Sequence, residues 1–128
     1  MANEINGLHL IVDGRVDAPD VFSQENLRLL IVRLVKDLDM KLIWGPEFLE
    51  VEVEPEKLTG DAFTDEGGTS GFCMINKSHI AIHVWPLRLQ FMLDVCSCDA
   101  FDSEKALNTL EGILLPRTIQ VREVWRRP

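Results

Sequence analysis

The pattern of apolar and polar residues along the chain changes between a strand period and a helix period. Residues 7–13 alternate in part and are rich in branched side chains, which predicts a first strand. A break at residues 17–20 follows, and Ser23 suits the N-cap of a helix. The next apolar residues recur at the spacing of a single buried helix face: Leu27, Leu30, Ile31, Leu34 and Leu38.

The middle of the chain returns to the strand period. Residues 41–44 predict a short strand, which Gly45-Pro46 interrupts. Apolar residues at 49, 51 and 53 then alternate with glutamates at 50, 52 and 54. This alternation predicts a half-buried strand whose glutamates face water.

Two further strands, a helix and a closing strand complete the prediction. Residues 72–85 and 89–98 predict two strands that Pro86-Leu87-Arg88 joins as a hairpin. Residues 103–115 predict a second helix, which Pro116 ends, and residues 118–125 a closing strand. The apolar positions of that helix are Leu107, Leu110, Ile113 and Leu114.

The resulting order, β-α-β-β-β-β-α-β, predicts an α+β fold. We expect a two-layer sandwich in which a mainly antiparallel sheet carries two helices on one face. Because so small a sheet leaves its second face and its edges uncovered, we expect it to pair with another copy of the chain as a homodimer.

Composition and charge narrow the class of protein. A length of 128 residues fits a single domain spanning 1–128, and 46% hydrophobic with 27% charged residues argues against disorder. The net charge of -8 discourages nucleic-acid binding, although residues 117–127 form a locally basic, solvated tail. No long apolar run or signal-peptide pattern is present, so we expect a cytoplasmic protein without a membrane partner.

The cysteines argue against a disulfide framework and against a metal site. Cys73, Cys96 and Cys98 are an odd number in a chain without an export signal. Cys96 and Cys98 are too close in sequence for a typical structural zinc site, and no second cysteine pair completes one. Buried thiols or one reactive thiol remain as alternatives, and no metal is expected.

Residues 71–86 and 94–98 hold two serines, two histidines and three cysteines in strand-like sequence, where stability alone would favour aliphatic residues. Lys77-Ser78-His79-Ile80, followed by Ile82-His83-Val84-Trp85-Pro86, closely resembles the core of the S-adenosylmethionine decarboxylases. These are pyruvoyl enzymes of polyamine biosynthesis. The resemblance spans nearly the whole chain, from an opening strand at residues 8–11 to the two-helix layout.

The resemblance implies self-cleavage between Lys77 and Ser78, which turns Ser78 into the pyruvoyl cofactor. His83 matches the histidine that supports processing. Ser70 matches the serine that assists it, and we expect its hydroxyl to hydrogen-bond the strained carbonyl before Ser78. Cys98 matches the cysteine that returns a proton to the substrate carbon after carbon dioxide leaves. Lysine before the serine, instead of the commoner glutamate, occurs in one branch of the family.

Other residues near the motif receive structural or substrate-binding roles. His79 should share a sheet face with His83 and act structurally. Cys73 is expected in the core, and Asp94 as a structural hydrogen-bonding residue. The predicted substrate contacts are Phe63, Trp85 and Glu66.

The resemblance implies a decarboxylase of S-adenosylmethionine in spermidine biosynthesis, with the substrate amine forming a Schiff base on the pyruvoyl group. The chain departs from the family at Leu87, where a glutamate usually follows the proline, and in the acidic loop at residues 64–68. A small basic amino acid would suit that pocket. The alternatives are therefore a pyruvoyl-dependent arginine or ornithine decarboxylase, or an unprocessed non-catalytic relative that regulates or pairs with an active copy.

Overall fold

The computed structural model describes residues 5–52 and 67–127. Within these residues, two short 3₁₀ segments, Pro19–Phe22 and Pro86–Arg88, accompany the main elements. In chain order the strands and α-helices are β1 Gly7–Arg15, α1 Gln24–Asp37, β2 Leu42–Val51, β3 Gly68–Ile75, β4 Ser78–Trp85, β5 Gln90–Ser97, α2 Ser103–Leu114 and β6 Thr118–Arg126.

The six strands form one sheet in the order β2-β3-β4-β5-β1-β6, and every neighbouring pair is antiparallel. Helices α1 and α2 pack against each other and cover one face of the sheet. The predicted α+β sandwich with two helices on one face is therefore confirmed. The sheet's helix-facing residues form the core together with the helices: Leu10, Val12, Ile80, Ile82, Leu93 and Val95.

Both helices begin and bury the faces that the sequence pattern predicts. The Ser23 side chain accepts a hydrogen bond from the Asn26 N–H at the start of α1, which satisfies a backbone donor that has no partner within the helix. Asp102 caps α2 in the same way. The predicted positions Leu27, Leu30, Ile31 and Leu34 of α1 and Leu110 and Leu114 of α2 are fully buried.

The prediction of one strand over residues 72–85 is wrong. The chain turns at Asn76 and Lys77, so that Ile75 pairs with Ser78 in a two-residue hairpin between β3 and β4. The alternation of buried residues changes at the turn. Odd-numbered residues are buried in β3 up to residue 75, and even-numbered residues are buried in β4 from residue 80 to residue 84. In a single regular strand the buried residues would be all odd-numbered or all even-numbered, since side chains alternate strictly between the two faces.

The prediction of two strands around Gly45-Pro46 is also wrong. One strand, β2, runs from Leu42 to Val51 and pairs with β3, with register shifts on either side of this dipeptide. The buried face that the alternation predicts for this strand is not found, because Leu49 is 68% exposed and Val51 is 45% exposed. They lie on the sheet face that no helix covers. Residues 53 and 54 fall outside the described residues.

We call the side of the sheet opposite the helices the open face. Among the described residues, two ion pairs lie on it, His9–Asp94 at 2.9 Å and Arg122–Asp13 at 3.1 Å. It also exposes large apolar side chains: Trp44, Leu49, Phe72, Met74, Met92 and Val124. In the part of the chain that the structure describes, neither helix is long and apolar enough to cross a membrane.

Candidate active site

Ser78 and Cys98, two of the predicted site residues, lie in contact at one end of the sheet. Ser78 begins β4 directly after the turn, and Cys98 follows the last residue of β5. The Cys98 N–H donates a hydrogen bond to Ser78 Oγ at 2.8 Å. The Cys98 thiol lies 3.7 Å from the carbonyl oxygen of Asn76 in the same turn. The pairing of β4 with β5 therefore brings together two residues that are twenty positions apart.

The bond before Ser78 follows a residue with an unfavourable backbone conformation. Lys77 has a φ of 60°, in the left-handed region that glycine adopts most easily. For a residue with a side chain, such a conformation costs on the order of 1–3 kcal/mol. The tight hairpin imposes this cost at the peptide bond where the sequence predicts cleavage.

A cavity of about 600 Å³ opens beside Ser78 and Cys98. It forms where the first residues of β4 and β1 and the last residues of β5 and β6 meet at one end of the sheet. Among its lining residues are Lys77, Ser78, Cys96, Cys98, Arg126 and Arg127. The sequence interpretation of residues 117–127 as a solvated tail overlooked the two arginines. Because β6 is an antiparallel neighbour of β1, it must end where β1 begins. This relation could have indicated that Arg126 and Arg127 lie near the site.

Ser70 and His83 form a second pair of predicted site residues. They lie opposite each other on β3 and β4, and Ser70 Oγ is 2.6 Å from His83 Nδ1. Both side chains are partly buried on the open face, with the half-buried Trp85 ring centred 6.3 Å from the His83 ring. A hydrogen bond of this length fixes the imidazole orientation.

The two pairs do not meet within one copy of the chain. Ser78 and His83 are five positions apart on one strand, which corresponds to about 17 Å at the rise of an extended chain. An odd separation also places their side chains on opposite faces. Ser70 accordingly contacts His83, and the hydrogen bond that we expect from Ser70 to the carbonyl before Ser78 is not formed within one copy.

Three of the remaining predicted residues lie elsewhere in the sheet. His79 shares the open face with His83, and Asp94 binds His9. Cys73 is fully buried in the core, and this burial raises the pKa of its thiol. Phe63 and Glu66 lie outside the described residues.

Leu87 lies beyond the end of β4 that is opposite Ser78, in the short 3₁₀ segment, and is 61% exposed. Its side chain is therefore remote from the cavity of its own copy. Within residues 5–52 and 67–127, no three His, Cys, Asp or Glu side chains gather as a metal-ligand set.

The Ser78 environment fits the formation of a pyruvoyl group. The serine is partly exposed at a cavity, its hydroxyl is held by a backbone N–H, and the peptide bond before it follows a strained residue. Lys77 and Cys98 would lie beside such a group.

Comparisons with known proteins agree with this fold. Residues 8–127 match the sequence model of the family described as S-adenosylmethionine decarboxylase. An S-adenosylmethionine decarboxylase proenzyme of Clostridium botulinum is 35% identical over 123 residues, covering 94% of each chain. An arginine decarboxylase proenzyme of Hyperthermus butylicus is 31% identical over 103 residues, covering 80% of this chain and 64% of the relative.

A solved structure supports the fold assignment independently. The adenosylmethionine decarboxylase of Aquifex aeolicus superposes with a TM-score of 0.68 at 24% identity, covering 96% of this chain and 91% of that one. The sequence match extends through both helices and all six strands described above. This chain belongs to the S-adenosylmethionine decarboxylase family.

Proposed function

We propose that the chain is a proenzyme that cleaves itself between Lys77 and Ser78 and then decarboxylates S-adenosylmethionine for spermidine and other polyamine synthesis in the cytoplasm. The observation that carries the proposal is the position of Ser78. Its hydroxyl contacts the Cys98 N–H beside a cavity, directly after the strained residue Lys77.

Self-cleavage starts with the Ser78 hydroxyl. Its Oγ adds to the carbonyl carbon of Lys77, and the C–N bond of that peptide breaks to give an ester and a free amine on residue 78. The left-handed conformation of Lys77 raises the energy of the intact peptide and so favours the reaction. The Cys98 N–H orients Oγ for the attack.

Release of the N-terminal piece requires a base. Removal of the α-proton of residue 78 expels the Lys77 carboxylate by β-elimination and leaves dehydroalanine, and addition of water then releases ammonia and gives the pyruvoyl group. A histidine suits this proton transfer because its pKa lies near neutrality. We assign the role to His83, which Ser70 holds in place through the 2.6 Å contact.

Because His83 cannot reach Ser78 of its own copy, we assign the site to a homodimer. One copy would supply the Ser78–Cys98 pair, and the other would supply the Ser70–His83 pair. The apolar side chains of the open face support this arrangement, since Phe72 and Met74 follow Ser70 on the same side of β3 and are nearly half exposed. Covering them with a second open face would remove that apolar area from water.

Turnover uses the carbonyl that replaces Ser78 and the thiol beside it. A pyruvoyl group supplies an electron sink for the charge that is left when carbon dioxide departs. Cys98 Sγ holds the proton that the α-carbon receives afterwards. We assign substrate contacts to Trp85, which lies beside His83, and to Phe63 and Glu66.

A second candidate is the decarboxylation of arginine or ornithine. Two observations favour it: the match to an arginine decarboxylase proenzyme, and Leu87 at the position where the family usually has glutamate. A third candidate is an unprocessed, non-catalytic relative of the enzyme.

Intact mass and substrate assays distinguish these candidates. A processed enzyme gives two chains that end at Lys77 and begin with the modified residue 78, and carbon dioxide release from labelled S-adenosylmethionine, arginine and ornithine identifies the substrate. Ser78→Ala should abolish both cleavage and turnover. Ser103→Ala is the matched control, because Ser103 Oγ has no hydrogen-bond partner among the described residues. Turnover by an intact single chain would refute the pyruvoyl mechanism.

A further inference from the structure

We propose that Arg126, assisted by Arg127, forms a carboxylate-binding subsite in the cavity beside Ser78. The proposal rests on the proposed function for its ligand, since both carboxylates considered below arise in the pyruvoyl reaction. Nothing in the motif around Ser78 points to the two arginines, which lie almost fifty residues further along the chain.

The position of Arg126 follows from the sheet register. Arg126 pairs with Gly7 at the start of β1, which lies between β6 and β5. Its side chain extends across β1, because Arg126 Nη1 lies 3.8 Å from Cys96 Sγ on β5. Cys96 in turn pairs with His79, the residue after Ser78. The guanidinium therefore reaches β5, the strand that lies directly beside the start of β4.

The charges around the cavity favour an anion. The described residues that line it include three cations, Lys77, Arg126 and Arg127, and no carboxylate, although the whole chain has a net charge of -8. Arg122, on the same strand and the same face, is paired with Asp13 at 3.1 Å. Among the described residues no carboxylate pairs with Arg126, whose hydrogen bond goes to a thiol. A planar guanidinium suits bidentate binding of a carboxylate.

Two carboxylates come to this place during the proposed reaction. One is the α-carboxylate of the substrate, which must lie within a few bonds of residue 78. The other is the terminal carboxylate that cleavage creates on Lys77, itself a lining residue of the cavity. Both present the same group to Arg126, and separate experiments identify which one it binds.

The first experiment uses Arg126→Gln in the processed enzyme. Binding of the substrate carboxylate should raise KM about ten-fold, a typical effect for a charged hydrogen bond that is partly open to solvent. The kcat should stay the same or rise, because an interaction with a carboxylate that leaves stabilises the ground state. The decarboxylated product lacks the group, so its inhibition constant should not change. Arg126→Lys should restore part of the lost affinity, and Arg122→Gln is the matched control.

The second experiment tests the Lys77 carboxylate. Carboxypeptidase B removes C-terminal lysine, and intact mass follows the trimming of the N-terminal piece in the native processed enzyme. A Lys77 carboxylate held by Arg126 resists trimming, and Arg126→Gln should accelerate it several-fold relative to Arg122→Gln.

A third measurement requires no enzyme activity. In the uncleaved Ser78→Ala chain, acetate is titrated while the arginine Nε–H resonances are followed by NMR. Arg126 should show a saturable shift that Arg122 does not show. If the wild-type chain fails to cleave or to turn over, the proposed function fails, and the acetate titration still decides the subsite. Absence of the acetate shift, or unchanged KM and trimming in an active enzyme, would overturn the subsite.

Discussion

At the scale of single residues, two cysteines of the same sheet have opposite environments. Cys98 lies at the cavity, with its backbone N–H on Ser78 Oγ and its thiol partly exposed. Cys73 is fully buried between the sheet and the helices. A thiol that exchanges protons with a substrate must be accessible, so position alone separates the two.

We expect Cys98→Ala to leave cleavage intact and to reduce turnover by about 10²–10⁴-fold, the usual contribution of a positioned proton donor. Intact mass measures cleavage, and carbon dioxide release measures turnover. Cys73→Ala is the comparison variant, which should cleave and turn over but lose stability because it leaves a cavity in the core. Full activity of Cys98→Ala would remove the role assigned to its thiol.

Burial of Cys73 also predicts a pH dependence of stability. Desolvation raises the pKa of the Cys73 thiol above its ordinary value of 9.0. The folded state therefore keeps this proton at a pH where the unfolded chain loses it. This contribution is present below about pH 9 and is lost as pH rises above it. In urea unfolding between pH 7 and 10, the free energy of unfolding should decrease less for Cys73→Ala than for wild type. An equal decrease in the two proteins would contradict the assignment.

At the scale of elements, the hairpin between β3 and β4 contains the peptide bond where we propose that the chain cleaves itself. Its two-residue turn places Lys77 in the left-handed region and leaves Ser78 as the first residue of a strand. Sheet pairing on both sides holds this turn, because β3 and β4 are both interior strands. The strain is thus maintained by long stretches of hydrogen-bonded backbone.

Glycine at position 77 should relieve this strain. In the uncleavable Ser78→Ala background, Lys77→Gly is expected to raise the free energy of unfolding by about 1 kcal/mol. With Ser78 intact, it should slow self-cleavage. Leu115→Gly is the matched control, because Leu115 is 65% exposed, has a φ of 49° and lies at the C-terminal end of α2, outside the cavity beside Ser78. It should stabilise similarly without altering the cleavage rate, which gel electrophoresis of freshly translated protein measures. Equal or faster cleavage of Lys77→Gly would show that strain does not contribute.

At the scale of the whole molecule, one copy contains two incomplete halves of the proposed site. The Ser78–Cys98 pair lies at one end of the sheet, and the Ser70–His83 pair lies further along β3 and β4 on the open face. The exposed apolar residues of the open face suit a second copy of the same chain.

Co-expression of two inactive variants tests this arrangement. His83→Ala alone and Ser78→Ala alone should both remain uncleaved. In a mixed dimer, His83 from the Ser78→Ala chain should serve the intact Ser78 of the other, so the His83→Ala chain is cleaved. Different affinity tags and intact mass identify which chain is cut. In the control, the His83→Ala chain is co-expressed with a Ser78→Ala, His83→Ala double variant. This pair should show no cleavage. Normal cleavage of His83→Ala by itself would place the base elsewhere.

Much of the fold and the identity of the candidate residues could be predicted from the amino-acid sequence. Helix faces at residues 27–34 and 110–114 were predictable because burial of one side of a helix leaves a period near 3.6. The α+β class followed from the order of elements. The motif around Ser78 indicated the family, which the match over residues 8–127 confirms.

The strand boundaries and the grouping of the site residues depend on contacts between distant parts of the chain, which the sequence pattern does not show. The turn at Asn76 and Lys77 falls among four polar residues, 76–79, which the family motif also explains, so the sequence did not distinguish a turn from a site within a strand. Leu49 and Val51 alternate like core residues, although the face that they occupy is uncovered. Alternation shows that two faces differ but does not show which one the helices cover. The contact of Ser78 with Cys98, its distance from His83, and the approach of Arg126 depend on strand register, because pairing between strands brings together residues that are distant in sequence.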